Sequence, residues 1–86
     1  MRFKARLVVY LKSGISDPEG DILCARLIRR GFGEISQVRS GKYWEVYLEA
    51  ASREEALTYL EKVYLGPPVT NPIKDEPKLL ALEELE

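Results

Sequence analysis

The sequence contains no histidine and a single cysteine, Cys24. Histidine is the commonest general base and the commonest zinc ligand. Its absence removes every Ser–His or Cys–His nucleophilic pair and most zinc sites. One cysteine can form neither an internal disulfide nor a thiolate cluster. Cys24 reads most simply as a small core hydrophobe. No apolar run approaches the ~20 residues that span a bilayer. The basic start, residues 1–6, leads into no signal-peptide core, so the expected location is the cytoplasm and no membrane contact is expected. Thirteen basic and fourteen acidic residues leave a net charge of −1. That balance lacks the basic footprint of a nucleic-acid binder. Catalysis by this chain alone is not expected from such an inventory.

What is present fits one small domain. A chain of 86 residues buries only about 60–65% of its unfolded surface, so it gains from association. From Phe3 to Lys12, apolar Phe3, Ala5, Leu7, Val9 and Leu11 alternate with Lys4, Arg6, Val8, Tyr10 and Lys12. This period of two predicts a first strand with one core face. Asp17-Pro18-Glu19-Gly20 then opens a helix: Asp17 caps, Pro18 suits the first helical position, and Glu19 favours the positive dipole end. Gly20 costs the first turn about 1 kcal/mol relative to alanine, which implies close packing or backbone approach there. The helix runs to about Arg30, with Leu23, Cys24, Leu27 and Ile28 as its expected buried stripe. Gly31 is the expected left-handed stop, with Phe32 after it.

The middle of the chain alternates most cleanly. From Lys42, Trp44, Val46 and Leu48 fall on one face and Tyr43, Glu45, Tyr47 and Glu49 on the other. The first set is expected in the core. Upstream, Ile35 and Val38 are out of phase with it, so residues 34–48 read as one bent strand or as two strands joined at Ser40-Gly41. Ser52-Arg53-Glu54-Glu55 forms a capping box for a second helix carrying Ala56, Leu57, Leu60, Val63 and Tyr64 inward, and Gly66-Pro67-Pro68 ends it. Residues 69–75 have the composition of a short final strand, with Pro72 at an edge or Asn71-Pro72 as its leading bulge. The leucine-rich residues 78–86 read as a separate tail with helical propensity, docked or frayed. The order β-α-β(bent)-α-β predicts an α+β two-layer sandwich over residues 1–77.

Three features exceed background as sites, and one of them, the acidic Glu83-Glu84-Glu86 end, reads as a solvated terminus. Arg39 and Lys42 flank Gly41 and could meet a phosphate or a carboxylate on a partner, although a solvated strand corner is the simpler and favoured explanation of the same residues. Tyr43 and Tyr47 share a face, as in sheets that stack single-stranded bases, but Glu45 between them opposes nucleic acid.

Four segments in register resemble the PurS family, the small accessory subunit of phosphoribosylformylglycinamidine synthase. They are Asp17-Pro18-Glu19-Gly20, Gly31-Phe32, Val38-Arg39-Ser40-Gly41-Lys42 and Asn71-Pro72-Ile73. The likeness runs from the first strand to Ile73. Gly66-Pro67-Pro68 and the tail after Pro77 depart from the family pattern. The resemblance implies a PurS-like, ferredoxin-like sandwich that uses sheet edges to form a homodimer or homotetramer. It implies a subunit without catalytic residues, cofactor or metal, bridging a PurL-type synthetase and a PurQ-type glutaminase and helping ammonia pass between them in purine biosynthesis. ATP and magnesium would belong to the synthetase. It assigns Arg39, Gly41 and Lys42 to partner contact, and Asp17, Pro18, Gly20, Gly31, Asn71 and Pro72 to structural roles. A different reading keeps the fold but makes it a small-ligand regulatory domain of the ACT-like kind, binding an amino acid near Gly41.

Overall fold

A computed structural model describes residues 1–86. Its elements are β1 (Arg2–Leu11), α1 (Pro18–Arg29), β2 (Gly41–Glu49), α2 (Arg53–Tyr64) and β3 (Asp75–Leu85). The sheet has the order β2-β1-β3, and both pairings with β1 are antiparallel. β2 and β3 therefore run parallel, with β1 between them, and α2 is the crossover that joins them. The α+β sandwich expected from the sequence is the architecture found.

β1 is central because both its edges are paired and one of its faces forms the core. Phe3, Ala5, Leu7 and Val9 are buried, as the alternation predicts. Phe3 and Ala5 join Ala56 and Leu60 of α2 and Leu82 of β3 in one cluster, with Val46, Leu48, Leu57, Tyr64 and Leu79 packed around it. At about 25 cal/mol per Å² of apolar surface, these side chains supply most of the drive for folding. Ser52 caps α2 by accepting from the Glu55 amide at 3.1 Å, the first bond of the predicted box. Gly31 adopts φ +103°, and its amide donates to Ile28 O while that of Phe32 donates to Leu27 O. This pair of bonds is a Schellman stop.

Four expectations are corrected. Residues 34–40 are not part of a bent strand; β2 begins at Gly41, where the ladder with β1 begins opposite Tyr10. The residues before it are spent on contacts with the start of α1, described below. Residues 69–74 form turns and not a strand, with only Asp75 joining β3, because Asn71 turns the chain back: its Oδ1 accepts from the Ile73 amide at 3.0 Å, and its carbonyl accepts from Lys74 and Asp75. Asn71 and Pro72 thus lie outside the sheet.

The third correction is the tail. Residues 78–86 supply the body of β3, so a boundary at Pro77 falls inside a strand. Leu79 and Leu82 stand three apart, a helical spacing, yet both pair with inward residues of β1, Leu7 and Ala5. An extra residue, Leu80, sits between these pairings where the register shifts. Such a bulge flips the side-chain parity of a strand. Pro77 is tolerated because β3 is an edge strand.

The fourth concerns burial. Trp44 lies on the core face opposite Leu7 but is 47% exposed, and in the α1 stripe Leu23 and Ile28 are 48% and 46% exposed. Cys24 and Leu27 are half-buried. The molecule is long, 51 × 30 × 15 Å, with a radius of gyration of 16.4 Å, against about 12 Å for a compact chain of this length. A single copy leaves part of its apolar surface uncovered.

Candidate functional site: the neck between β1 and β2

Tyr10 pairs with Gly41, so the chain leaves the sheet after β1 and re-enters it beside its point of departure. Everything between, residues 12–40, is an excursion containing α1. Its two limbs meet at Asp17. This carboxylate is only 6% exposed, and a buried charge needs partners to remain ionised. It has them: Oδ1 accepts from the Gly20 amide at 3.1 Å and from Ser40 Oγ at 2.6 Å. Oδ2 accepts from the Ser40 amide at 2.6 Å and lies 3.8 Å from Arg39 Nε. The Ser40 hydroxyl and amide, then the Gly20 amide, hold Asp17 below the usual carboxylate range against the cost of burial, and Arg39 adds to this.

Gly20 is required at this junction. A Cβ there would stand 2.2 Å from Val38 O and 2.8 Å from Asp17 Oδ2. Arg39 reaches back across the neck, its Nη2 donating to Leu11 O and Lys12 O. Lys12 in turn donates from its amide to Lys74 O at 2.8 Å and from Nζ to Pro72 O at 2.7 Å. Gly41 allows the chain to run close to β1, since a Cβ would meet Val9 O at 2.8 Å.

The structure thus brings Asp17, Gly20, Arg39 and Gly41 together. Pro18 opens α1 from the same point, while Gly31 lies at the far end of α1 and Asn71-Pro72 behind Lys12. The Lys42 side chain is exposed and makes no hydrogen bond or ion pair in this chain. It borders an open cleft shared with Tyr10, Glu19, Ser40, Lys74 and Asp75. The residue that sequence reasoning missed is Ser40. Its signal was available: a serine beside a bend, with a capping aspartate already identified upstream.

The open face of the sheet carries a second constellation. Glu45 accepts from Tyr43 Oη at 2.9 Å and Tyr47 Oη at 3.5 Å, and lies 3.4 Å from Lys4 Nζ. The Lys4 ammonium also stands 5.7 Å from the Tyr47 ring centre. The Tyr43 hydroxyl, with Lys4, holds Glu45 below its ordinary value despite partial desolvation. Desolvation and Glu45 together push Tyr43 up. The tyrosines that resembled a base-stacking pair are tied to a carboxylate, an arrangement that repels phosphate.

The family profile described as PurS, phosphoribosylformylglycinamidine (FGAM) synthase, matches residues 4–73. The PurS subunit of phosphoribosylformylglycinamidine synthase from Archaeoglobus fulgidus is 38% identical over 52 residues, which is 60% of this chain and 65% of that protein. The matched part therefore spans just under two thirds of that relative. Thermus thermophilus PurS has the same fold over 100% of both chains, with a TM-score of 0.88 and 32% identity. A chain of the Thermotoga maritima PurLQS structure matches with a TM-score of 0.81 and 25% identity, over 99% of each chain. With the sequence match spanning both helices and two strands, and the fold match spanning the rest, the chain belongs to the PurS family.

Proposed function

We propose that this chain is the non-catalytic bridging subunit of phosphoribosylformylglycinamidine synthase in purine biosynthesis. It holds a glutaminase subunit to a synthetase subunit and shelters the passage of ammonia between them. The observation that carries this reading is the end-to-end likeness to a chain of the Thermotoga maritima PurLQS structure. The surface supports it. Leu23, Ile28 and Phe32 on and after α1, and Trp44 on the edge strand β2, are each about half exposed, and apolar exposure of this kind marks association surfaces. Ammonia must travel unprotonated and away from bulk water, so a well-packed scaffold contributes without making or breaking bonds. Lys42 and Gly41 remain the proposed partner contacts at the neck, with Arg39 contributing by shaping it.

The test is co-expression with PurL-type and PurQ-type subunits of the same source. Size exclusion should show one complex containing all three chains in the presence of glutamine and ADP. Glutamine-dependent synthase activity should fall sharply when this chain is omitted, while activity with added ammonia survives. Failure to co-elute under every nucleotide condition would overturn the reading.

A further inference from the structure

The geometry points to a latched lobe: residues 12–40 form one body that hinges on the sheet at Leu11 and Gly41, held in place by the Asp17–Ser40 and Arg39–Leu11 bonds. Three observations carry it. The two ends of the excursion are neighbours in the ladder, Tyr10 facing Gly41, so the lobe joins the sheet through a neck two strands wide. α1 buries no side chain fully; its one buried residue is Gly20, and Gly20 packs on Val38 O, which is part of the lobe itself. No hydrogen bond or ion pair joins residues 18–38 to β1, β2, β3 or α2. Those that tie the lobe to the rest start from its ends, at Lys12 and Arg39.

The two limbs are bound directly to each other. Ser40 gives Asp17 two bonds of 2.6 Å, and bonds to an ionised acceptor are roughly twice as strong as neutral ones. Arg39 converts that internal tie into an orientation. Its guanidinium is paired with Asp17 inside the lobe and donates to Leu11 O, the last carbonyl of β1, as well as to Lys12 O. A change at the neck therefore moves α1 as a whole, together with the apolar residues on its surface.

Hydrogen exchange on the full chain, at one fixed protein concentration, tests this. In the wild type, the amides of α1 should exchange together through an opening that leaves β1 and β3 protected. Ser40→Ala should speed exchange of α1 by about tenfold or more, the loss of one charge-assisted bond, with α1 still exchanging faster than the strands and with a weaker dependence on added urea, the mark of a partial opening. Arg39→Lys keeps the charge but loses the fork, and should produce the same regional pattern if the first variant folds poorly. α1 amides that exchange with the same opening free energy and the same urea dependence as the strand amides, or no acceleration of α1 in either variant, overturn the proposal.

Discussion

Ser40 donates two hydrogen bonds to Asp17, one from its amide and one from its hydroxyl, across 23 residues of sequence. The amide bond survives any side-chain substitution, while the hydroxyl bond does not. Ser40→Ala should therefore lower Tm without abolishing folding, by roughly 4–8 °C for each kcal/mol lost in a domain of this size. Asp17→Ala should do more, because it also strips the α1 cap and leaves Arg39 without its carboxylate. Thermal melts at one protein concentration check the ranking.

Asp17 also sets an acid limit. Its folded pKa lies below its ordinary 3.8, chiefly through the Ser40 bonds. Above that ordinary value both folded and unfolded chains carry the charge, and the stabilisation is fully present. As pH falls below about 4 the unfolded state takes up the proton first, and the contribution drains away through the lower folded pKa. Asp17→Asn should flatten this part of the stability–pH curve, leaving the part contributed by Glu45, which is lowered in the same direction. Urea titrations between pH 3 and 6, as approximate bounds set by carboxylate titration, would reveal the difference.

Gly20→Ala sets two effects against each other. Alanine improves the helix by about 1 kcal/mol. The added methyl, however, would sit 2.2 Å from Val38 O, and overpacking of this kind typically costs about 1–3 kcal/mol. Since the obstacle is backbone and not a flexible side chain, the cost should win. The variant should be less stable than wild type in urea, and a gain in stability would show that the neck yields easily.

Burial ranks two further substitutions. Leu60 is fully buried beneath the sheet, so Leu60→Ala should lose about 2–5 kcal/mol and show it as a lower urea midpoint. Lys42 is exposed and unpaired within the chain, so Lys42→Ala should change stability by less than about 0.5 kcal/mol. If it nevertheless weakens co-elution with the synthetase and glutaminase chains, Lys42 is a partner contact. Unaltered assembly would make it a solvated corner only.

Sequence patterns revealed those parts of the fold where one physical rule acted alone. The alternation of Phe3, Ala5, Leu7 and Val9 located β1 and its buried face. The Asp17-Pro18 and Ser52 caps located both helix starts, and Gly31 located the first stop. The misread segments are those where two rules compete. In β3, Leu80 adds a residue that reverses parity, so Leu79 and Leu82 face inward together and imitate a helical stripe. Before β2, Ile35 and Val38 suggest strand, but Asp17 recruits Ser40 and the chain turns instead. Trp44 and the α1 stripe have core composition, and their exposure depends on how many copies or partners cover the sheet, which a single chain's pattern does not encode. For the site, Asp17, Gly20, Arg39 and Gly41 were all visible as separate motifs. Their convergence was not, because it depends on Tyr10 pairing with Gly41.

The central position of β1 has a consequence for synthesis. β1 leaves the ribosome before both of its neighbours, residues 41–49 and 75–85. Until β3 emerges, Phe3, Ala5, Leu7 and Val9 lack the roof completed by Leu82 and α2, and one edge of β1 stays unpaired. Pairings this distant in sequence are slow to form, and unpaired edges invite other chains. The nascent chain thus carries β1 before either of its partners and completes its cover last. Truncation within β3 should be felt as loss of soluble protein before it is felt as loss of any contact.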